Sequence, residues 1–384
     1  MGFSVEKAGN KPAFDHALIV CIILLTGAGL GTLYSASYAF AERWYGGNHW
    51  HFVFHQLPFA ALGLLIFAVE AHIKIEMLRG AIKFFVIAAI FLCCLTFIPG
   101  IGVTRNGASR WIGIGGMSFQ PSELVKLVLP LYLAHILDKK KEKLDIFSSG
   151  ILPPTLVTAL FFALILFQNN FSTALFIAIN AIFIFFLTGI KKRYFFSALI
   201  IVMPLSFLLV LTKEHRLRRL ISFIWPEWEP LGAGYQVNAS VLTIRSGGFW
   251  GKGIGQGTRK IESVPEIQSD FVFSAFSEEG GFIGVVIFIL VFAFFAWRGY
   301  RAALRSDDMF RRILACGMVN MIVTQVLLNI AVVSGALPAT GVPLPFFSAG
   351  GSSLVMTLAM SGLIVNVSRG ASSDRLEENL KNGV

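Results

Sequence analysis

Long apolar stretches separated by short polar segments dominate this chain of 384 residues. Runs of about 18 or more apolar residues are long enough to cross a bilayer as helices. We count ten such runs, at roughly 14–36, 52–70, 80–98, 121–137, 151–168, 171–188, 194–212, 271–297, 310–334 and 349–368. A segment that spans lipid must be a helix or a strand of a closed β-barrel. The sequence lacks the alternating ten-residue strands of a barrel. The pattern therefore predicts an all-α polytopic membrane protein with about ten transmembrane helices.

The longest polar interruption, residues 213–270, separates the seventh run from the eighth. It opens on a basic stretch at 213–219, passes through a glycine-rich stretch at 247–257 and closes on Asp270. Loops longer than about 15 residues are uncommon and are usually functional or disordered. We therefore expect a large loop that carries water-side chemistry. It would belong to a single membrane domain, residues 1–384, that ends in a polar, mobile tail at 369–384.

Basic residues predict the orientation of the helices, because short cytoplasmic loops are enriched in Lys and Arg. With both termini inside, the inner segments hold the basic clusters at 139–143, 191–193 and 298–312. The short outer segments hold only three basic residues, Arg43, Arg105 and Arg110. The polar segment 213–270 then lies outside.

Composition agrees with this class of protein, since 55% of the residues are hydrophobic and only 14% are charged. A soluble domain carries about 25% charged residues. Part of the net charge of +10 is the orientation signal together with an attraction to anionic lipid. The outer part suits an anionic ligand. No recognised nucleic-acid-binding module is present, which argues against that class of partner.

Charged residues inside the apolar runs are candidates for function. Glu123 and Lys126 lie three residues apart and share a helix face. A charge at the centre of a membrane helix costs roughly 2.5–3.5 kcal/mol, so the two should pair or face a wet cavity. Two interpretations stay open, a buried ion pair that fixes helix packing and the wall of a polar cavity. Glu278 and Glu279 form an acidic pair that is either functional or paired with a basic residue.

Asp270 stands where the polar segment meets the eighth run. Aspartate is a favoured helix N-cap, and the helix dipole favours its ionised form. An ionised carboxylate only accepts hydrogen bonds, so it can take a proton from a hydroxyl or hold a divalent cation. The capping and catalytic interpretations are compatible.

The basic stretch 213–219 is either an anchor at the level of the lipid headgroups or a site for pyrophosphate. The glycine-rich stretch 247–257 lacks the spacing of a Walker motif. We therefore expect a flexible outer loop that presents Lys252. Three histidines are better explained by an aromatic interface belt than by a metal site: His49, His51 and His55.

Eight motifs, in this order, resemble the SEDS family (shape, elongation, division and sporulation), which includes FtsW-like and RodA-like proteins. The motifs are Arg110–Ile112, Gln120–Lys126, Leu231–Gln236, Gly251–Gly253, Pro265–Phe271, Glu278–Glu279, Pro343–Ser348 and Gly350–Ser353. The likeness covers nearly all ten runs. The Pro343–Ser348 motif favours the FtsW-like division members. The chain departs from the family at Gln268–Ser269, where His-Thr is common, and at Ala349, where Tyr is common.

The resemblance implies a peptidoglycan glycosyltransferase that polymerises lipid II at the outer face of the bacterial cytoplasmic membrane. It also implies a class B penicillin-binding protein as the partner that supplies transpeptidation. A lipid II transporter (flippase) and a non-catalytic scaffold of a cell-wall synthesis complex are the alternatives from other classes.

Site residues follow from the same resemblance. Asp270 corresponds to the essential acidic residue, as general base or as ligand of a divalent cation, Mg²⁺ or Mn²⁺. The residues expected to bind substrate are Arg110, Glu123, Lys126, Lys252 and Ser348. Positive charge on a departing pyrophosphate would stabilise the transition state.

Overall fold

The structure, a computed structural model, describes residues 14–105, 107–114, 117–225, 233–258 and 267–381. Its α-helices are α1 His16–Trp44, α2 His51–His72, α3 Ile75–Leu95, α4 Pro121–Lys139, α5 Leu152–Phe167, α6 Phe171–Leu187, α7 Lys192–Leu211, α8 Glu214–Ile224, α9 Ala233–Ser246, α10 Val272–Leu304, α11 Met309–Val333 and α12 Gly351–Lys381. Short helical turns lie at Lys141–Lys143 and Phe147–Ile151. The strands are β1 Gly102–Arg105, β2 Ala108–Ile114 and β3 Met117–Phe119.

The helices α1–α7 and α10–α12 match the ten apolar runs. Among the described residues, eight of these helices have the length and hydropathy needed to cross a membrane, with α5 counted together with the helical turn Phe147–Ile151 that precedes it. The other two are α6, which has 17 residues, and α4, which carries Glu123 and Lys126. The prediction of an all-α polytopic membrane protein is confirmed.

The large loop predicted at 213–270 contains two helices, α8 and α9, among its described residues. In α8, Glu214 and Arg218 are exposed and form an ion pair at 2.6 Å, whereas Ser222 is buried. Such an amphipathic helix has low mean hydropathy although its periodicity is helical. In α9, Ser240 Oγ donates to the backbone oxygen of Val333 at 2.8 Å and ties the helix to the end of α11.

The core lies around α4, α11 and α12. These helices have buried residues on several faces, and α12 packs along α2. The helix α7 is peripheral, since none of its described residues is buried. The backbone of α12 continues to Lys381, so the predicted mobile tail is helical up to that residue. Between α11 and α12, residues 341–350 form no helix and most of them are buried.

The helix α10 is broken at Gly281, whose φ is 61° and ψ is −163°. The glycine-rich stretch 247–258 packs against this break. The backbone nitrogens of Lys252 and Gly253 donate to the backbone oxygens of Glu278 and Glu279 at 3.0 and 3.1 Å. A helix break frees carbonyl groups that need partners in lipid. The predicted flexible loop is therefore a docked element.

A small antiparallel sheet, β1–β2–β3, covers the region between α3 and α4. The sequence analysis does not predict it, because its strands are short. The sheet holds Arg110, on β2, beside the turn between α5 and α6.

Candidate active site

Asp270 lies in the turn immediately before α10 and is partly exposed. Its backbone oxygen accepts a hydrogen bond from Asn329 Nδ2 at 2.8 Å, and this nitrogen also donates to Val342 O at 2.9 Å. The carboxylate oxygen Oδ2 lies against Gly341, where an added Cβ would be 3.3 Å away. The predicted N-cap role is wrong, because the residue at the cap position is Phe271. The carboxylate points instead towards the broken segment that follows α11.

Two arginines outside the spanning helices lie near Asp270. Arg110 Nη2 donates to the backbone oxygen of Asn169 at 2.5 Å, and Arg219 Nη1, on α8, donates to that of Ala339 at 3.3 Å. Burial lowers the pKa of Arg110 to about 10, with a further lowering by Arg219 and an opposing effect of Asp270. Burial also lowers the pKa of Arg219, again against the effect of Asp270. Two positive groups and one carboxylate therefore share this region.

Three buried polar atoms on residues around Asp270 have no hydrogen-bond partner among the described residues. They are Arg110 Nε, Gln268 Oε1 and Asn329 Oδ1. Buried polar groups are nearly always bonded in native proteins, so such exceptions need an explanation. Gln268 is also the residue found where the family often has His, so an amide stands there in place of an imidazole.

Glu123 and Lys126 form a buried ion pair, with Lys126 Nζ 2.7 Å from Glu123 Oε1. The exposed fractions of the side chains are 5% for Glu123 and 1% for Lys126. Lys126 Nζ also donates to Gln325 Oε1 at 3.0 Å and lies 5.4 Å from the ring centroid of Phe176. Of the two interpretations left open, this geometry favours the ion pair that fixes helix packing. A direct contact with substrate stays a prediction.

Two amides on α11 connect this ion pair to Asp270. Gln325 Nε2 donates to the backbone oxygen of Pro343 at 2.8 Å. One helical turn further, Asn329 donates to both Val342 and Asp270. The pair therefore contributes to the site by holding Gln325, which in turn holds the segment beside the carboxylate. Sequence reasoning misses both amides, although two amides one turn apart in an apolar run are costly unless they are bonded.

Ser348 closes a turn within the broken segment. Its Oγ accepts from the backbone nitrogen of Leu344 at 2.7 Å, and its own nitrogen donates to Leu344 O at 3.1 Å. Its backbone oxygen accepts from Gln56 Nε2 at 3.4 Å. The residue is only 4% exposed, so the structure assigns it a structural position. Substrate binding by Ser348 stays a prediction.

Lys252 is paired with a buried carboxylate. Its Nζ lies 2.9 Å from Glu278 Oε1, which also accepts from Ser246 Oγ at 3.1 Å. Glu279 Oε1 accepts from Gly255 N at 2.9 Å. Of the two interpretations of the acidic pair, pairing with a basic residue holds for Glu278. One third of the Lys252 side chain is exposed, and its contact with substrate stays a prediction.

The described residues contain no group of three or more His, Cys, Asp or Glu side chains that would hold a metal. The rings of His51 and Tyr45 stack with centroids 3.6 Å apart, and His49 stacks on Tyr38, as expected for an aromatic belt. Mg²⁺ is usually bound by one or two carboxylates with substrate phosphates and water. Asp270 therefore fits a divalent cation only if the substrate supplies most of the oxygen ligands.

Comparison with known proteins identifies the family. The sequence profile described as "Cell cycle protein", which groups FtsW, RodA and SpoVE, matches residues 15–373. The chain belongs to this family. It is the SEDS family that the sequence motifs indicate.

Named SEDS relatives cover most of this chain. A protein of Geobacter sp. (strain M18), named "Probable peptidoglycan glycosyltransferase FtsW", is 37% identical over 356 residues, which are 92% of this chain and 96% of that protein. The "Stage V sporulation protein E" of Bacillus subtilis is 36% identical over 360 residues, which are 94% of this chain and 98% of that protein.

Solved SEDS structures share the fold. A chain from the study "Structural coordination of polymerization and crosslinking by a peptidoglycan synthase complex" matches with a TM-score of 0.76 and 27% identity, over 94% of this chain and 98% of that chain. The rod shape determining protein RodA of Thermus thermophilus matches with a TM-score of 0.67 and 27% identity, over 93% and 97%.

Proposed function

We propose that this protein is a peptidoglycan glycosyltransferase that polymerises lipid II at the outer face of the bacterial cytoplasmic membrane. The single observation that carries the proposal is the carboxylate of Asp270, held near the half-buried Arg110 and Arg219. The names of the SEDS relatives support the same activity. The basic clusters at 139–143 and 298–312 support an orientation with both termini in the cytoplasm.

The proposed reaction transfers a glycan chain from its lipid pyrophosphate to an acceptor sugar. Asp270 accepts the proton of the acceptor hydroxyl, whose oxygen forms a bond to the anomeric carbon of the donor. The bond between that carbon and the pyrophosphate oxygen breaks, and its electron pair leaves with the lipid pyrophosphate. The guanidinium groups of Arg110 and Arg219 stabilise the negative charge that develops there. A divalent cation that arrives with the pyrophosphate would add positive charge, and no step depends on it.

A class B penicillin-binding protein is the proposed partner. The similarity to a chain of a peptidoglycan synthase complex supports this assignment. The partner would cross-link strands that this protein polymerises.

The test uses purified protein in detergent with lipid II, Mg²⁺ or Mn²⁺, and the partner carrying an inactive transpeptidase. Glycan strands are separated on a gel. We expect strands from the wild type and none from Asp270→Asn, which keeps the shape of the side chain and removes its charge. Asp270→Ala serves as a second variant, and thermal unfolding checks that both variants are folded.

The alternatives give different results in the same experiment. A lipid II transporter or a scaffold would make no strands with any variant, and the transporter would still move lipid II across liposomes. Strands from Asp270→Asn at the wild-type rate would refute the role of Asp270. The ammonium group of Lys126 is buried and bonded to Glu123 and Gln325. This burial argues against the open path for a lipid headgroup that a transporter would need.

A further inference from the structure

A polar cavity lies between α8, α9 and the segment 334–339 that follows α11. Its volume is about 240 Å³. The residues that line it include Arg219, Phe223, Asn238, Val241 and Arg245. It thus combines two guanidinium groups and an amide with apolar side chains.

The spacing along α9 explains why one face of this helix lines the cavity. Asn238, Val241 and Arg245 recur at intervals of three and four residues, which is one face of a helix. Arg245 is exposed, and no salt bridge joins it to a carboxylate among the described residues. Two guanidinium groups suit a pyrophosphate, because each can bind oxygen atoms with two parallel hydrogen bonds. Phe223 and Val241 offer apolar surface for the start of a lipid tail.

The cavity adjoins Asp270 through a shared backbone segment. Arg219 Nη1 donates to Ala339 O at 3.3 Å. The carboxylate of Asp270 lies against Gly341, two residues further along the chain. Two residues of extended chain span at most about 7 Å. Arg219 therefore belongs both to the cavity and to the neighbourhood of the proposed base.

We propose that this cavity binds the pyrophosphate of the glycan donor, with Arg219 and Arg245 as its anion ligands. The inference rests on the proposed function. The donor pyrophosphate is bonded to the anomeric carbon that reacts, so it must lie close to the base. The acceptor pyrophosphate is separated from the reacting hydroxyl by a whole disaccharide. An anion site that shares Arg219 with the surroundings of Asp270 therefore belongs to the donor and, after transfer, to the departing polyprenyl pyrophosphate.

The first measurement is binding of undecaprenyl pyrophosphate to the full-length protein in detergent, with undecaprenol as the uncharged probe. We expect Arg245→Ala to weaken the binding of the pyrophosphate about tenfold or more, the loss typical of a charge-assisted hydrogen bond. Arg245→Lys keeps the charge and should retain part of the affinity. The matched control is Arg218→Ala, since Arg218 is exposed on α8 and paired with Glu214. Arg218→Ala should bind undecaprenyl pyrophosphate as tightly as the wild type does. All variants should bind undecaprenol with the same affinity.

The second measurement separates donor from acceptor. Labelled lipid II whose acceptor hydroxyl is blocked can react only as donor. We expect Arg245→Ala to raise the KM for this donor about tenfold and to leave the KM for the lipid II acceptor unchanged. The proposal would be overturned if Arg245→Ala raised only the KM for the acceptor. It would also be overturned if this variant changed neither the affinity for undecaprenyl pyrophosphate nor the KM for the donor. If the wild type makes no glycan but binds pyrophosphate in an Arg245-dependent manner, the anion site stands and the glycosyltransferase function fails.

Discussion

The buried ion pair of Glu123 and Lys126 allows a quantitative test of how the site is held. The charged atoms are 2.7 Å apart. At an effective dielectric constant of about 20, unit charges at this distance attract each other by about 6 kcal/mol. Removing the two ions from water costs several kcal/mol for each ion. The pair therefore contributes little net stability, whereas either charge alone would be strongly destabilising.

Lys126→Met removes one charge and keeps most of the length of the side chain. Because Glu123 is then a buried carboxylate without its ammonium partner, we expect the free energy of unfolding to fall by about 3–5 kcal/mol. The double variant Glu123→Gln/Lys126→Met removes both charges. We expect it to recover about half of that loss or more, with the remainder due to Gln325 Oε1, which loses its donor.

Stability is measured by unfolding the purified protein in mixed detergent micelles, and polymerisation is measured on the same samples. If the pair acts only by holding Gln325, the double variant should regain activity together with stability. If Glu123 or Lys126 contacts substrate, as the family resemblance implies, the double variant should regain stability but not activity. Equal destabilisation of the single and double variants would refute the reasoning, because the loss could not then come from an uncompensated charge.

Two further predictions concern the surroundings of Asp270. Gly341→Ala should lower stability by roughly 1–2 kcal/mol, because its φ is 71°, and should also reduce polymerisation, because the new methyl group would press on Asp270 Oδ2. Gly46→Ala is the matched control, since it has a φ of 61° and no atom within 4 Å of the added Cβ. It should show a similar strain with full activity, and equal activity of the two variants would contradict the prediction. Mg²⁺ or Mn²⁺ should raise the unfolding temperature only in the presence of undecaprenyl pyrophosphate, and Asp270→Asn should reduce this effect. A metal-dependent rise without the lipid would show instead that the protein alone binds the metal.

The membrane helices were predictable because one physical requirement decides them. In lipid, a spanning segment must satisfy its own backbone groups, so an apolar run of sufficient length must be helical. This requirement does not predict the helix α8, because its exposed Glu214 and Arg218 make the segment polar on average. Its amphipathic spacing is the signal that would reveal it.

The surroundings of Asp270 were less predictable, because they are built from distant parts of the chain. Asn329 lies 59 residues after Asp270, and Arg110 belongs to a sheet before α4. No local pattern encodes such contacts. The basic residues of α8 show the same limit, since their spacing is compatible with a headgroup anchor and with an anion site. Only the position of Arg219 beside Ala339 relates one of them to Asp270.

The site depends on non-helical backbone placed at the ends of membrane helices. The turn before α10 and the segment 341–343 both expose backbone oxygens that lipid cannot satisfy. Gln325 and Asn329 supply the missing donors, and Lys126 fixes Gln325 from the other side. The polar residues of α4 and α11 are thus needed because the carboxylate is presented from an irregular segment. Replacing them with apolar residues would leave buried carbonyl groups without partners, so the cost of losing this network should appear as a displaced Asp270 before it appears as an unfolded protein.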